Sequence, residues 1–339
     1  MNLNNLYVLI FLFLNLTVWG QHQEDKIYNA IDVFVAHPSA KDLQNLTNTE
    51  TNFWKSPKPK SKDELLAIAV LNCNKAYYEN QFGQSENAIK SYEKAWQIYQ
   101  KNKLRNYDII EYCLKPLGNL YTILGDYDNA ENTIKQYYFI ANLEKNEPQK
   151  MAAILNLSNV YQNTGNVYKA IDLIEKTLQT ERLTPTQKGL LLNNLGTNYF
   201  LTTKGFLIKK NAFDKAENSF LKAISLLKND KSQTETLSNS YRNLAKLNLE
   251  RNDLNKATEY FEKAKIEFNK IPNQEPRKIA QFYYEAAFIS FKQRKITDAN
   301  QNITAVFKTL LPNYSNIKSV LPNQNSLYAE TVLLDVLDL

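Results

Sequence analysis

Two cysteines and two histidines are the residues from which nucleophilic or metal chemistry would have to be built in this 339-residue chain. A Cys–His or Ser–His–Asp centre needs a base within reach of its nucleophile. The histidines, His22 and His37, both stand near the N-terminus, ahead of the part of the chain that repeats. No His, Cys and Asp cluster has the spacing of a metal site, and no glycine-rich loop follows a strand pattern to cradle a phosphate. The inventory therefore points away from an enzyme, with no cofactor, no metal and no small-molecule substrate expected.

What must position any other site is a repeat. Ala88, Ala130, Ala170, Ala216, Ala257 and Ala299 each precede an aromatic or aliphatic residue by four, and they are spaced by 42, 40, 46, 41 and 42 residues. Self-similarity at such a period marks a stacked array rather than one central core. The clearest units pair Leu with a small residue (Leu117-Gly118, Leu157-Ser158, Leu195-Gly196), with a tyrosine three residues on (Tyr121, Tyr161, Tyr199). Leu and Tyr then share one face of a first helix. Gly125 and Gly165 end that helix, because the residue after a helix favours a left-handed backbone. The Ala lets a second helix approach closely.

This spacing, with aromatics at Tyr92, Phe220 and Phe261 and further alanines at Ala95, Ala223 and Ala264, resembles the tetratricopeptide repeat family. The first repeat departs at Tyr78, one residue off the expected tyrosine. The fourth holds about eight extra residues between Tyr199 and Ala216, and Asn252 and Arg294 replace the turn glycine in the last two. Every period exceeds the ~34 residues of the common form, which predicts longer helices. The resemblance implies an all-α, right-handed superhelical solenoid of about six helix hairpins over residues 63–312.

Ahead of the array, residues 1–20 read as a signal peptide: an apolar run from Leu6 to Trp19, then polar Gln21. The run is short for a membrane span, so export with cleavage near Gly20 is expected, to the periplasm, envelope or outside. Residues 21–62 read as an N-terminal helical cap (Ile27, Ile31, Phe34, then Leu43, Leu46, Phe53) and a Lys/Pro linker, KSPKPKSK. The net charge of +6 is spread over Lys/Glu-rich faces without a basic stripe, which argues against nucleic acid. Cys73 and Cys113 fall at non-equivalent positions of neighbouring repeats, on helices whose axes would lie about 8–10 Å apart. Buried apolar thiols are favoured over a disulfide, and pairing stays open.

In tetratricopeptide arrays the first helices line the binding groove. With the Leu-small pair at positions seven and eight, position six is Asn74, Pro116, Asn156, Asn194, Asn243 and Glu285. This resembles the asparagine ladder with which some family members hold extended peptides. A primary amide donates and accepts at once, so it can pair with a peptide backbone whatever the side chain. The same amide can equally bond a neighbouring helix or water. Lys115, Asn119, Asn159, Arg242 and Lys246, at positions five and nine, would set preference, and an acidic or C-terminal carboxylate group on the partner would suit them. Pro116 interrupts the row and predicts a kink.

The tail, residues 313–339, ends in an apolar stretch (Val332, Leu333, Leu334, Val336, Leu337, Leu339) without a polar cap. It resembles the junction at which exported bacterial repeat proteins lead into a CHAT domain, a caspase-like peptidase module. That resemblance implies a missing downstream domain and a sensor or regulatory role for the repeats. A stand-alone scaffold remains the other reading, its apolar tail packing on a partner or a second copy of the chain. The expected partner in either case is a protein or extended peptide.

Overall fold

The structure, a computed structural model, describes residues 23–203 and 211–311 together with Val332, Leu333 and Val336. The signal-peptide stretch, the insertion of the fourth repeat at 204–210 and most of the tail lie outside the described residues. Those described are α-helical with short turns, and none is in a strand. The chain divides into two compact units, residues 1–160 and 161–339.

In unit 1, α1 (Gln23–Ala36) and α2 (Leu43–Lys55) precede two hairpins. The first is α3 (Lys62–Gln81) packed on α4 (Ser85–Lys101); the second is α5 (Lys115–Leu124) packed on α6 (Tyr127–Leu143). A further helix, α7 (Glu147–Asn163), begins in unit 1 and carries the boundary. Unit 2 continues with α8 (Val167–Thr180) and three hairpins. These are α9 (Pro185–Leu201) with α10 (Ala212–Leu227), α11 (Thr234–Glu250) with α12 (Leu254–Phe268), and α13 (Pro276–Lys292) with α14 (Ile296–Leu310).

The alanine row does what its spacing implies. Ala88, Ala130, Ala170, Ala216 and Ala257 are each fully buried, so the methyl group sets how near two helix axes can come. The residues four further on fill the space beside them: Tyr92, Ile134, Ile174, Phe220 and Phe261 are all buried. The small residue of the first helix is equally necessary. A Cβ placed on Gly196 would lie 2.7 Å from the Phe220 ring, and one on Gly118 would meet Ile134 at 3.0 Å.

Helix ends follow their side chains. Ser61 and Thr184 form reciprocal capping boxes with Glu64 and Gln187, and Asp126 and Asp253 accept a backbone N–H of the first turn. Gly125 and Gly165 take the left-handed turn at φ 79° and 74°. Asn252 and Arg294, which stand where the turn glycine is missing, adopt the same conformation at φ 58° and 61°. The hairpin turn is therefore kept without glycine, at the modest strain a side chain with positive φ carries.

Several helices are long, α3 with 20 residues and α4, α6 and α7 with 17 each, whereas α5 has 10 and α8 has 14. Of the tail, three residues are described. Val332, Leu333 and Val336 are buried with Ala280, Val306 and Phe307 of α13 and α14. These three apolar side chains find cover within the chain, which removes them as a sticky surface for self-association.

Candidate functional site

In unit 1, Asn74 of the asparagine row and the position five and nine residues Lys115 and Asn119 border one cavity. Asn74 and Lys115 are partly exposed, Asn119 is exposed, and all three line one opening of about 460 Å3 between α3 and the start of α5. Asn74 spends one N–H on the Val70 carbonyl of its own helix (3.0 Å). The Lys115 ammonium donates to both Glu111 oxygens at 2.9 and 3.0 Å. Asn119 Oδ1 accepts from Asn156 Nδ2 at 2.8 Å.

The walls of this cavity are tyrosines that the sequence reading did not select: Tyr77, Tyr78, Tyr92, Tyr107 and Tyr112. Tyr107 and Tyr112 stack with ring centroids 5.5 Å apart, and Tyr77 meets Tyr78 edge-on at 5.0 Å. Burial, with the Cys73 thiol beside it, pushes the Tyr107 phenol well above its ordinary value. The ring is held by its loop, because the Tyr99 hydroxyl donates to the Tyr107 carbonyl at 3.2 Å. Cys73 and Cys113 are buried free thiols. Burial and then the hydrogen bond with Cys73 raise the Cys113 thiol well above its usual value, which disfavours a thiolate at Cys113.

Pro116 explains the cavity's shape. It has no N–H, and its ring crowds the carbonyl four residues back. The chain answers with one wide π-turn, Ile110–Leu114, closed by the Lys115 N–H on the Ile110 carbonyl. The kink expected from the sequence is therefore a π-turn, a feature common at functional sites, and it sets Glu111 and Tyr112 at the cavity wall.

Elsewhere the asparagines fasten hairpins together. Asn156 uses both amide hydrogens internally, on Asn119 Oδ1 and on the Tyr137 hydroxyl at 2.9 Å. Tyr137 is fully buried, so this bond satisfies a group that would otherwise be orphaned. Asn156→Ala is accordingly expected to lower unfolding stability by about 1–3 kcal/mol, measured by urea denaturation. An unchanged midpoint would mean the amide serves only a ligand. Asn159 is exposed on α7. In unit 2, Asn243 Nδ2 donates to the Thr197 hydroxyl at 3.2 Å, tying α11 to α9. Asn194 Oδ1 accepts from Asn193 at 3.3 Å, and Asn193 Oδ1 accepts from Ser240 of α11 at 2.8 Å.

The predicted cation pair also has an internal partner. Arg242 Nε donates to Glu285 at 2.8 Å and its Nη2 to the other oxygen at 2.5 Å. Lys246 Nζ lies 2.9 Å from the same carboxylate, and the Arg242 guanidinium sits over the Phe282 ring at 4.6 Å. Burial opposes ionisation of Glu285, but the bonds and charges of Arg242 and Lys246 outweigh it and hold the carboxyl below its ordinary value. The expected docking point for a partner's carboxylate is thus occupied by the chain's own Glu285. The reason is register: position six of one hairpin faces position five of the preceding one, a period away. These groups border a smaller cavity of about 290 Å3 with Tyr284 and Phe288.

Tyrosine–glutamate bonds lock hairpins in the same manner. The Tyr121 hydroxyl donates to Glu93 of the preceding hairpin at 2.5 Å, and Tyr199 donates to Glu175 of α8. Because the acceptors are charged, Tyr121→Phe should cost roughly 1.5–3 kcal/mol, read as a shift in denaturation midpoint. No shift would show that the bond is exchanged for water without loss.

Among the described residues no three His, Cys, Asp or Glu side chains are grouped to hold a metal ion. Nor is any helix among them long and apolar enough to cross a membrane. The described residues form an all-α array of paired helix hairpins of tetratricopeptide-like fold. Residues 69–102, spanning most of the first hairpin, match the tetratricopeptide repeat family model. The crystal structure of a tetratricopeptide repeat protein from Parabacteroides merdae superimposes with a TM-score of 0.56 at 17% identity, covering 93% of this chain and 99% of that one. NprR in complex with its cognate peptide NprX gives 0.52 at 12% identity, over 99% and 94% of the two chains. The apo form of RapI gives 0.50 at 14%, over 71% and 97%. A comparison with curated protein sequences finds no match to this chain.

Proposed function

We propose that the chain is a non-enzymatic scaffold that holds a protein or an extended peptide on the first helices of its hairpins, chiefly at α3 and α5 of unit 1. The observation that carries this reading is the cavity where Asn74, Lys115 and Asn119 converge among exposed tyrosine rings. Position five and nine groups from one hairpin there meet a position six group from another, as a chain laid across the first helices requires. NprR, similar in fold, is in complex with its cognate peptide NprX, which supports a peptide as the class of ligand. Asn156, Asn243 and Arg242 act as fasteners beneath the surface, so Asn119 is the better probe of ligand contact.

A photoreactive side chain placed at Asn119 should cross-link a partner in cells, and one at Phe139, exposed on the second helix α6, should not. Cross-linking from Phe139 alone would contradict the assignment. Export belongs to the same proposal and is supported by the apolar run of residues 6–19. Protein recovered from the envelope or medium should begin at Gln21 by N-terminal sequencing; a cytosolic product that keeps Met1 would contradict it. The resemblance of residues 313–339 to CHAT junctions supports a narrower version, in which the scaffold recognises partners on behalf of a CHAT-type peptidase.

A further inference from the structure

We propose that the tyrosine-walled cavity of unit 1 takes an extended, uncharged, proline-containing segment, with prolyl rings laid against Tyr77, Tyr107 and Tyr112. The inference rests on the reading of α3 and α5 as a peptide site, and it names the kind of peptide.

Four observations point to this occupant. The cavity is open rather than enclosed: Tyr77 is 52% and Tyr112 57% exposed, although each is a large ring on a helix. Ring faces kept in water at the mouth of a groove suit flat apolar rings laid across them better than a side chain plunged into a slot. Secondly, the cavity is electrically neutral. Its one cation and one anion, Lys115 and Glu111, are bonded to each other, and burial raises the Tyr92 and Tyr107 phenols, which keeps them protonated. A charged side chain would find no unpaired counter-charge among these groups.

Thirdly, the polar groups at the rim suit a backbone that offers carbonyls. Asn119 is exposed and has its oxygen committed to Asn156, so what it can still offer a ligand is its amide hydrogens, as donors. A proline segment has carbonyls to accept them and few N–H groups to satisfy in return. Finally, about 460 Å3 is room for more than one residue, within the ~300–1,000 Å3 range of ligand pockets. Grooves of paired aromatic rings with interspersed donors recognise the polyproline II helix, whose stiffness reduces the entropy lost on binding.

The test is fluorescence anisotropy of the full chain with two labelled, uncharged ten-residue peptides, one alternating Ala and Pro and one of Ala, Gly and Ser. The proline peptide should bind at least about tenfold more tightly. Tyr77→Ala and Tyr112→Ala should each weaken it about tenfold, while Tyr77→Phe, which keeps the ring, should not. Both tyrosines are exposed, so their loss should leave the helical circular dichroism unchanged; Phe139→Ala controls for loss of a surface ring. Equal binding of the two peptides would overturn the proline preference while leaving the peptide site intact. Binding of neither, or binding indifferent to both tyrosine substitutions, would overturn the inference. In that case, cross-linking at Asn119 tells whether the wider scaffold reading falls with it.

Discussion

Arg242→Leu is expected to destabilise unit 2 by about 3–5 kcal/mol, the cost of leaving a buried carboxylate without its main partner. The Arg242 side chain is 13% exposed and that of Glu285 9%, so water cannot replace the lost bonds. Lys246 alone remains at 2.9 Å, with its own side chain 41% exposed. The double variant Arg242→Leu/Glu285→Leu should recover most of the loss, because two apolar groups replace two charges that no longer need solvation. The sign of the pH dependence follows from the depressed carboxyl of Glu285. In the wild type the pair's contribution is fully present above the ordinary glutamate range and fades as pH falls through the lower, folded value. In Arg242→Leu the carboxyl protonates readily, so the gap between variant and wild type should narrow on acidification. A pH-independent gap would mean that packing over Phe282, and not charge, explains the arginine.

The second large effect is at the closest approach of α9 and α10. Phe220 is fully buried against Gly196, and Phe220→Ala should cost about 3–5 kcal/mol through lost burial and the cavity left behind. Gly196→Ala alone should cost about 1–3 kcal/mol, because its methyl would enter the Phe220 ring space. On the Phe220→Ala background the same change should be nearly neutral, since the obstruction is gone. That non-additivity, measured as a double-mutant cycle in urea, separates a steric contact from a general propensity effect. Additive costs would show that the glycine is needed for another reason.

The array was legible in the sequence because close helix packing leaves a mark on composition: positions such as Ala130 and Ala216 are fully buried between helices, and Ala recurs there at each period. The turns were less legible. Asn252 and Arg294 keep a positive φ without glycine, so the residue type alone does not announce the geometry. The asparagine row was visible but ambiguous, since an amide bonds a neighbouring hydroxyl and a peptide by the same chemistry. Asn156 spends both amide hydrogens within the chain and Asn243 one, and Glu285 claims Arg242 and Lys246. A signal for that ion pair existed: the residues are 43 apart, one 42-residue period plus the single step from position five to position six. The tyrosine cavity was missed because tyrosine is abundant and read as packing. Its clue lay in face rather than type, Tyr77 standing three residues after Asn74 and Tyr112 three before Lys115. The π-turn that shapes it followed from Pro116 only in part, because a proline inside a helix can bend, break or widen it.

The central claim, that first helices of unit 1 hold an extended segment, is tested most directly by hydrogen exchange with a peptide selected from a random displayed library. The account predicts that the bound peptide slows exchange in residues 70–80 of α3 and in 108–120, which run through the π-turn into the start of α5, and leaves α6 at 131–143 unchanged. Protection confined to α6, or a library in which no peptide is enriched over a denatured control, would contradict it.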